Sequence, residues 1–264
     1  MKKVLGIILL LLILVVILGL GFLGFVPGLS TLLGANKPKN LGITYTSADL
    51  ASCRSKSQIE YAVLPPTSIP SQSREFIGER TVQAEFSSKE ITATLNNQPW
   101  QYWPYKDVQI KFNADGTGEI SGVLVKSKVP GYAAAIGIPS QAADFAMKYL
   151  PADPVFYVKM NAALTNNKVT TFEPLAFEIG KIPMPLSLFL SFGGPQLIKE
   201  AYAAGLDDMT QELSKLQDKR SLIINYINDR LSLDFGKFYA KKAYFGDNKL
   251  VFDGVLSEKV SYSP

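Results

Sequence analysis

The sequence predicts an α+β protein in which an N-terminal transmembrane helix precedes a curved antiparallel sheet of at least six strands packed on a long amphipathic helical region. Three observations predict it. Residues 4–26 contain no charged or polar side chain. Three stretches of alternating apolar residues are each interrupted by a turn signal, which is typical of hairpins. Residues 195–232 repeat apolar residues at helical spacing.

The first element is the apolar run, whose 23 residues are enough to cross a hydrocarbon core of ~30 Å. A signal peptide has a shorter apolar region of roughly 7 to 15 residues, so the run favours an uncleaved anchor. Lys2 and Lys3 precede it, which is typical of a cytoplasmic end, and Lys37 and Lys39 on the other flank reduce this charge bias. We expect a single-pass protein of the cell membrane with its C-terminal domain outside the cytoplasm.

This reading divides the chain into three parts. Residues 1–26 are a cytoplasmic stub and transmembrane anchor, residues 27–79 a juxtamembrane linker with a short helix, and residues 80–264 an extracytoplasmic α+β domain. The linker helix is predicted at 46–58, with Ser47 as N-cap and Cys53 buried.

Composition limits the chemistry of the protein. The chain has 27 basic and 23 acidic residues, no histidine and one cysteine, so it has no intrachain disulfide and no basic excess that would indicate nucleic acid. The absence of histidine excludes Ser-His and Cys-His catalysis. We predict no catalytic residue, metal or cofactor, and a hydrolase using two carboxylates is the remaining enzymatic alternative.

The domain is predicted to begin with a strand at 80–86 and a short helix after it. Val82 and Phe86 alternate with polar residues along the strand. Ser87 and Glu90 have the spacing of a capping box, and Ile91 with Leu95 gives the helix an apolar stripe.

Three hairpins follow, at 107–125, 155–180 and 237–256, with turns at residues 115–116, 166–167 and 247–248. The second hairpin carries the clearest apolar rows: Phe156, Val158 and Met160, then Leu175, Phe177 and Ile179. Helices are predicted at 140–150 and 195–232, the second interrupted at Gly205.

Two segments are candidate sites. Residues 186–192 follow Pro183 and Pro185 and are almost entirely apolar, so they must be buried or covered by a ligand. Residues 98–108 hold Trp100 and Trp103. Such a cluster suits a membrane surface, a bound sugar, a cavity mouth or a core plug, and the sequence leaves these alternatives open.

The order of parts resembles a known class of domain. A short basic end, one anchor, "SSKEITATLNN" after a first strand, and hairpins ending in "IGKIPMP" resemble small bacterial membrane-anchored domains of the YpmS and LmeA kind. Those are similar to tubular lipid-binding (TULIP-like) domains, whose curved sheet wraps a long helix around an apolar groove. The resemblance covers about residues 80–256 and departs from the pattern at "WQYWPY" and 186–192.

The resemblance implies that the domain binds a lipid or another amphiphile in an apolar groove outside the cytoplasm. The alternative is an envelope interaction or assembly protein that contacts another protein or cell-wall glycan without a ligand cavity. The candidate lipid-binding residues are Trp100, Trp103, Phe177, Ile179, Leu186, Phe189, Leu197 and Tyr202. Whether they line a cavity or a filled core stays open, because the same side chains would line both.

Overall fold

The computed structural model describes residues 2–138, 143–144, 147–148, 150–185, 221, 224–225, 227–228, 231 and 237–264. The helices are α1 (Lys2–Leu23), α2 (Pro27–Leu32), α3 (Ser47–Ser57), α4 (Ser88–Asn96) and α5 (Val129–Ala135). The strands are β1 (Glu60–Val63), β2 (Arg74–Ile77), β3 (Arg80–Ser87), β4 (Tyr105–Phe112), β5 (Gly118–Leu124), β6 (Val155–Thr165), β7 (Lys168–Ile179), β8 (Ile182–Pro183), β9 (Tyr239–Gly246), β10 (Lys249–Leu256) and β11 (Lys259–Tyr262).

The main sheet is antiparallel and curls into a half-barrel. Its order is β3-β10-β9-β6-β5-β4, with β7 paired to β6 and β8 to β7. Strand β6 organises the curl: β7 follows almost its whole length, whereas β5 pairs with its first half and β9 with its last three residues. The predicted α+β class and antiparallel sheet of at least six strands are confirmed.

The predicted hairpin turns are also confirmed. Asn166 and Asn167 have φ of 50° and 57°, and Asp247 and Asn248 have φ of 48° and 63°. Positive φ at both central residues defines the turn whose twist matches paired strands, and Asn and Asp tolerate that conformation.

One predicted row of the second hairpin is wrong at Leu175. Lys159 pairs with Ala176, whereas the next residue, Met160, pairs with Pro174. Leu175 therefore lies in a bulge and is 50% exposed. Pro174 explains the shift, because proline has no N–H to give to the ladder and is tolerated at bulges.

A second, three-stranded sheet has the order β1-β11-β2, with β1 parallel and β2 antiparallel to β11. Residues 60–77, which the sequence assigns to the linker, thus supply two strands that pair with the last strand of the chain. Thr67 N also donates to Ser263 Oγ at 3.1 Å, and Ser263 N to the Ser73 carbonyl at 2.8 Å.

The inner face of the main sheet is apolar across its width. At the β3-β10-β9 end it forms a buried core with α3, to which Val82, Phe86, Phe252 and Cys53 contribute. Cys53 is buried in α3, as predicted. The N-cap of this helix is Thr46 and not Ser47, because the Asp49 side chain accepts a bond from Thr46 N and so completes a capping box one residue earlier.

Helix α4 covers the free edge of β4 with polar side chains. Its predicted capping box, Ser87 with Glu90, is confirmed. Along the helix, the Oγ of Ser88, the Oγ1 of Thr92 and the Oδ1 of Asn96 accept from the N–H groups of Phe112, Ile110 and Val108 at 2.9 Å each. Four helical residues rise ~6.0 Å and two strand residues ~6.8 Å, so the two spacings match over this length.

The apolar stripe predicted for this helix is therefore only part of its buried surface. Ile91 packs against the core and Leu95 is half-buried, whereas the residues buried most completely include Thr92 and Glu90, which are polar.

Helix α1 runs for 22 residues. Among the residues that the structure describes, no helix meets the length and mean hydropathy typical of a membrane span. The predicted helices at 140–150 and 195–232, with Gly205, fall wholly or largely outside the described residues.

Candidate functional site

The β5–β6–β7 half of the inner face carries the candidate site. Three rows cross it: Gly122–Phe156–Ile179, Ile120–Val158–Phe177 and Gly118–Met160–Pro174. The large apolar side chains in these rows are only half-buried, unlike those of the core at the α3 end. The structure therefore brings the predicted residues Phe177 and Ile179 together on one apolar surface.

These rows end where α1 ends. Gly180 follows Ile179 with φ of +63°, and a Cβ at this position would clash with the carbonyl oxygen of Phe22. Lys181 N donates to that same oxygen at 2.9 Å. A helix leaves its last four carbonyls without an intrahelical partner, so the β7–β8 turn satisfies one of them and fixes the sheet against the helix.

A second loop also meets the end of α1. The Pro151 side chain lies beside Gly24, 3.3 Å from the point that a Cβ on this glycine would occupy. Helix α2 folds back beside α1, since Ser30 Oγ donates to the Gly21 carbonyl at 2.8 Å. The 150–153 loop, the β7–β8 turn and α2 therefore surround the same point.

The segment after α2 lies on the opposite face of the sheet. Lys39 Nζ is 2.7 Å from Glu178 Oε1 and 3.7 Å from the centre of the Tyr157 ring. Leu41 N donates to Gln109 Oε1 at 2.9 Å. This connection is thus bound to β4 by a hydrogen bond, to β7 by an ion pair and to β6 by a cation–π contact.

Trp100 lies between the small sheet and α5. It is 4% exposed, its ring stacks on Tyr262 with centroids 5.8 Å apart, and its Nε1 donates to Ser73 Oγ at 2.8 Å. The ring also contacts Tyr132 of α5 at 5.5 Å. Since both the ring and the N–H have partners inside the protein, Trp100 stabilises the junction between β2, β11 and α5.

Trp103 lies nearer to the apolar rows. It is half-buried, its Nε1 donates to the Leu95 carbonyl at 2.8 Å, and its ring contacts Tyr105 at 5.1 Å. Tyr105 in turn contacts Phe156 at 5.9 Å. Burial raises the pKa of the Tyr105 phenol.

The other predicted site residues, Leu186, Phe189, Leu197 and Tyr202, lie outside the described residues. The site residues that the prediction missed are Phe156, Val158 and Ile120. Their alternation within the hairpins was visible in the sequence, but only the strand register shows that they share rows with Phe177 and Ile179.

Charged groups lie beside this surface. Asp153 Oδ2 is 2.9 Å from Lys106 Nζ, and its Oδ1 accepts from Lys126 N at 3.0 Å. The bond from Lys106 lowers the pKa of the Asp153 carboxyl against a smaller opposing effect of burial. No group of three potential metal-ligating side chains occurs among the residues that are described.

An open groove of about 930 Å³ lies elsewhere and is lined by residues of α3, β3, β9 and β10. Its lining includes Lys56, Glu85, Lys249 and Tyr244. Lys249 pairs with Glu85 at 2.8 Å and Lys56 with Glu90 at 2.8 Å. The groove is therefore polar and largely neutralised, unlike the apolar rows of the inner face.

Comparison with known proteins identifies no relative, since no protein-family profile, curated protein or solved structure matches the chain.

Proposed function

We propose that this protein is anchored in the cell membrane by residues 4–26, with its C-terminal domain outside the cytoplasm, and that the domain binds the acyl chain of a lipid or related amphiphile. The chain would lie along the inner face of the half-barrel, over Phe156, Val158, Phe177 and Ile179. On this proposal the protein is a lipid-binding module and not an enzyme.

The exposed side chains of α1 support the anchor. All nine residues from 10 to 18 are apolar, and each is between 37% and 68% exposed. A helix that is apolar all round is stable only inside a core or in lipid, and these residues have no such cover from the described part of the chain. A bilayer would supply it.

The junction of α1 with the apolar rows is the observation that carries the lipid-binding proposal. The Gly180–Phe22 contact joins the last turn of α1 to the end of the Ile179 row. If α1 spans the membrane, this end of the inner face opens at the bilayer surface. An acyl chain could then move onto the sheet without crossing water, with ~0.8 kcal/mol of stabilisation for each CH₂ buried.

Photo-crosslinking tests the proposal. The full chain is placed in nanodiscs with a phospholipid that carries a diazirine on its acyl chain, and crosslinked peptides are mapped by mass spectrometry. We expect adducts in β6 and β7 as well as in α1. The double variant Val158→Gln/Phe177→Gln should lose the strand adducts, and the control Leu175→Gln, in the exposed bulge, should keep them. Adducts confined to α1 in the unmodified chain would refute the proposal.

A second candidate function, contact with an envelope protein, is favoured by the small sheet. Val63 in the edge strand β1 is 72% exposed, and Ile77 in β2 is 46% exposed. Edge strands with exposed apolar residues are common sites of strand addition. A photoreactive residue at position 63 should then crosslink to a protein in intact envelopes, and the absence of any protein adduct would count against this function.

A further inference from the structure

The protein surface around the end of α1 carries exposed apolar side chains. Phe25, between α1 and α2, is 42% exposed, and Leu32 at the end of α2 is 82% exposed. Helix α2 is fixed beside α1 by the bond from Ser30 to Gly21 and by Leu29, which lies against the Gly21 backbone. Leu32 is thus held near the level at which α1 ends, with little protein around it.

Lysines occupy the loops at the same level. Lys126 Nζ donates to the Leu150 carbonyl at 2.5 Å, beside Pro151, and Lys106 pairs with Asp153 in the same loop. At the β7–β8 turn, Lys181 Nζ donates to the Lys37 carbonyl at 3.0 Å. Each of these lysines is bonded to a loop that touches α1 or to the segment that leaves α2.

We define the exit surface as Phe25 and Leu32 with Lys37, Lys106, Lys126 and Lys181, together with two carboxylates: Asp153, which is bonded to Lys106, and the exposed Asp107 next to Lys106. Four lysines and two carboxylates leave an excess of two positive charges at this surface.

Segments that lie in a membrane interface typically combine exposed apolar residues with neighbouring lysines. Lysines beside a bilayer are attracted to anionic lipids, each contributing about fivefold to binding within a Debye length of the surface. We propose that the exit surface lies on the outer leaflet and binds the headgroups of anionic phospholipids. This inference rests on the proposed function in one respect only, the insertion of α1.

An environment-sensitive label at position 32 tests the inference. The full-length variant Leu32→Cys is labelled with the fluorophore NBD, to which the buried Cys53 is poorly accessible, and is reconstituted in nanodiscs. We expect the emission to shift to the blue when phosphatidylglycerol is added to phosphatidylcholine. The ratio of lipid-immersed to water-exposed label should fall about fivefold for each lysine that is removed. The variant Lys106→Gln/Lys126→Gln/Lys181→Gln removes three.

Two controls separate headgroup binding from general charge effects. The triple variant Lys241→Gln/Lys242→Gln/Lys249→Gln makes the same change in net charge on β9 and β10 and should leave the emission unchanged. A label at Val63→Cys, which is also exposed but lies on the small sheet, should report water in every lipid. A blue shift that does not depend on phosphatidylglycerol, or that survives loss of the three exit-surface lysines, would overturn the inference.

Its failure is distinguishable from failure of the lipid-binding proposal. A chain that enters nanodiscs and gives strand crosslinks without the label response refutes only the headgroup contact. The label response without strand crosslinks refutes only acyl binding on the inner face. A chain that does not enter nanodiscs at all refutes both.

Discussion

Thr92→Val tests whether α4 takes the place of a neighbouring strand at the edge of β4. Thr92 is fully buried. Its Oγ1 accepts a hydrogen bond from Ile110 N at 2.9 Å and donates a longer one to the Ile110 carbonyl at 3.4 Å. Valine has nearly the same shape but no hydroxyl, so the variant leaves the Ile110 N–H buried without a partner.

The expected cost follows from that one lost acceptor. A buried donor left unsatisfied costs about 1–3 kcal/mol. For a chain of this size, 1 kcal/mol corresponds to roughly 2–4 °C in the melting temperature, so we expect Tm to fall by roughly 2–12 °C. Thermal unfolding of the full chain in detergent can be followed by tryptophan fluorescence, because Trp103 is bonded to α4 through the Leu95 carbonyl.

Thr81→Val is the matched control, since it makes the same substitution at an exposed position of β3. Surface substitutions usually change stability by less than about 0.5 kcal/mol. Equal shifts in the two variants would refute the reasoning, because they would mean that α4 does not satisfy the strand edge.

Three further predictions concern single positions. Trp100→Phe should destabilise the protein by about 1–3 kcal/mol in the same unfolding assay, because it removes the N–H bonded to Ser73; no change would contradict a structural role. Gly180→Ala should raise the rate of amide hydrogen exchange around the β7–β8 turn, since the new Cβ would clash with α1. Gly42→Ala is the control for backbone strain, because Gly42 also has a positive φ, +74°, but has open space around it. This control should leave exchange at the β7–β8 turn unchanged. Burial is the largest single influence on the Glu90 carboxyl and raises its pKa, but the hydrogen bonds from Lys56, Ser52 and Ser87 together outweigh it, so the pKa of Glu90 is lowered. Its contribution to stability is therefore present above the unfolded pKa of ~4.3 and is lost as pH falls through the lower folded pKa. The difference in Tm between the wild type and Glu90→Gln should shrink from pH 7 to pH 3, and a constant difference would contradict this.

The hairpins were predictable from sequence because their signals are local. Asn166–Asn167 and Asp247–Asn248 specify the turn conformation by themselves, and the apolar alternation on either side fixes which face is inner. The bulge at Leu175 depends on how Pro174 meets the partner strand, which alternation alone does not reveal.

Pairings between distant segments could not be predicted in the same way. Strands β1 and β2 lie in a proline-rich stretch and pair with β11, almost 200 residues later, and no local pattern specifies that partner. The role of Trp100 was left open for the same reason, because its partners Ser73, Tyr132 and Tyr262 come from three separate segments. The polar stripe Ser88, Thr92 and Asn96 resembles a solvent-facing surface until the edge of β4 is placed beside it.

The contact at Gly180 also has a mechanical consequence. A flexible tether would let α1 tilt without moving the domain, whereas a turn backbone seated on the last turn of the helix transmits the tilt. Strand β6, at 11 residues, forms an arm of about 36 Å that ends in the Asn166–Asn167 turn, which is bonded to the carbonyls of Lys241 and Ala240. A change in tilt of about 10°, well within the range that bilayer thickness imposes on single helices, would move the far end of this arm by about 6 Å. If α1 spans a membrane, as proposed, the position of this hairpin would therefore change with the thickness of the bilayer.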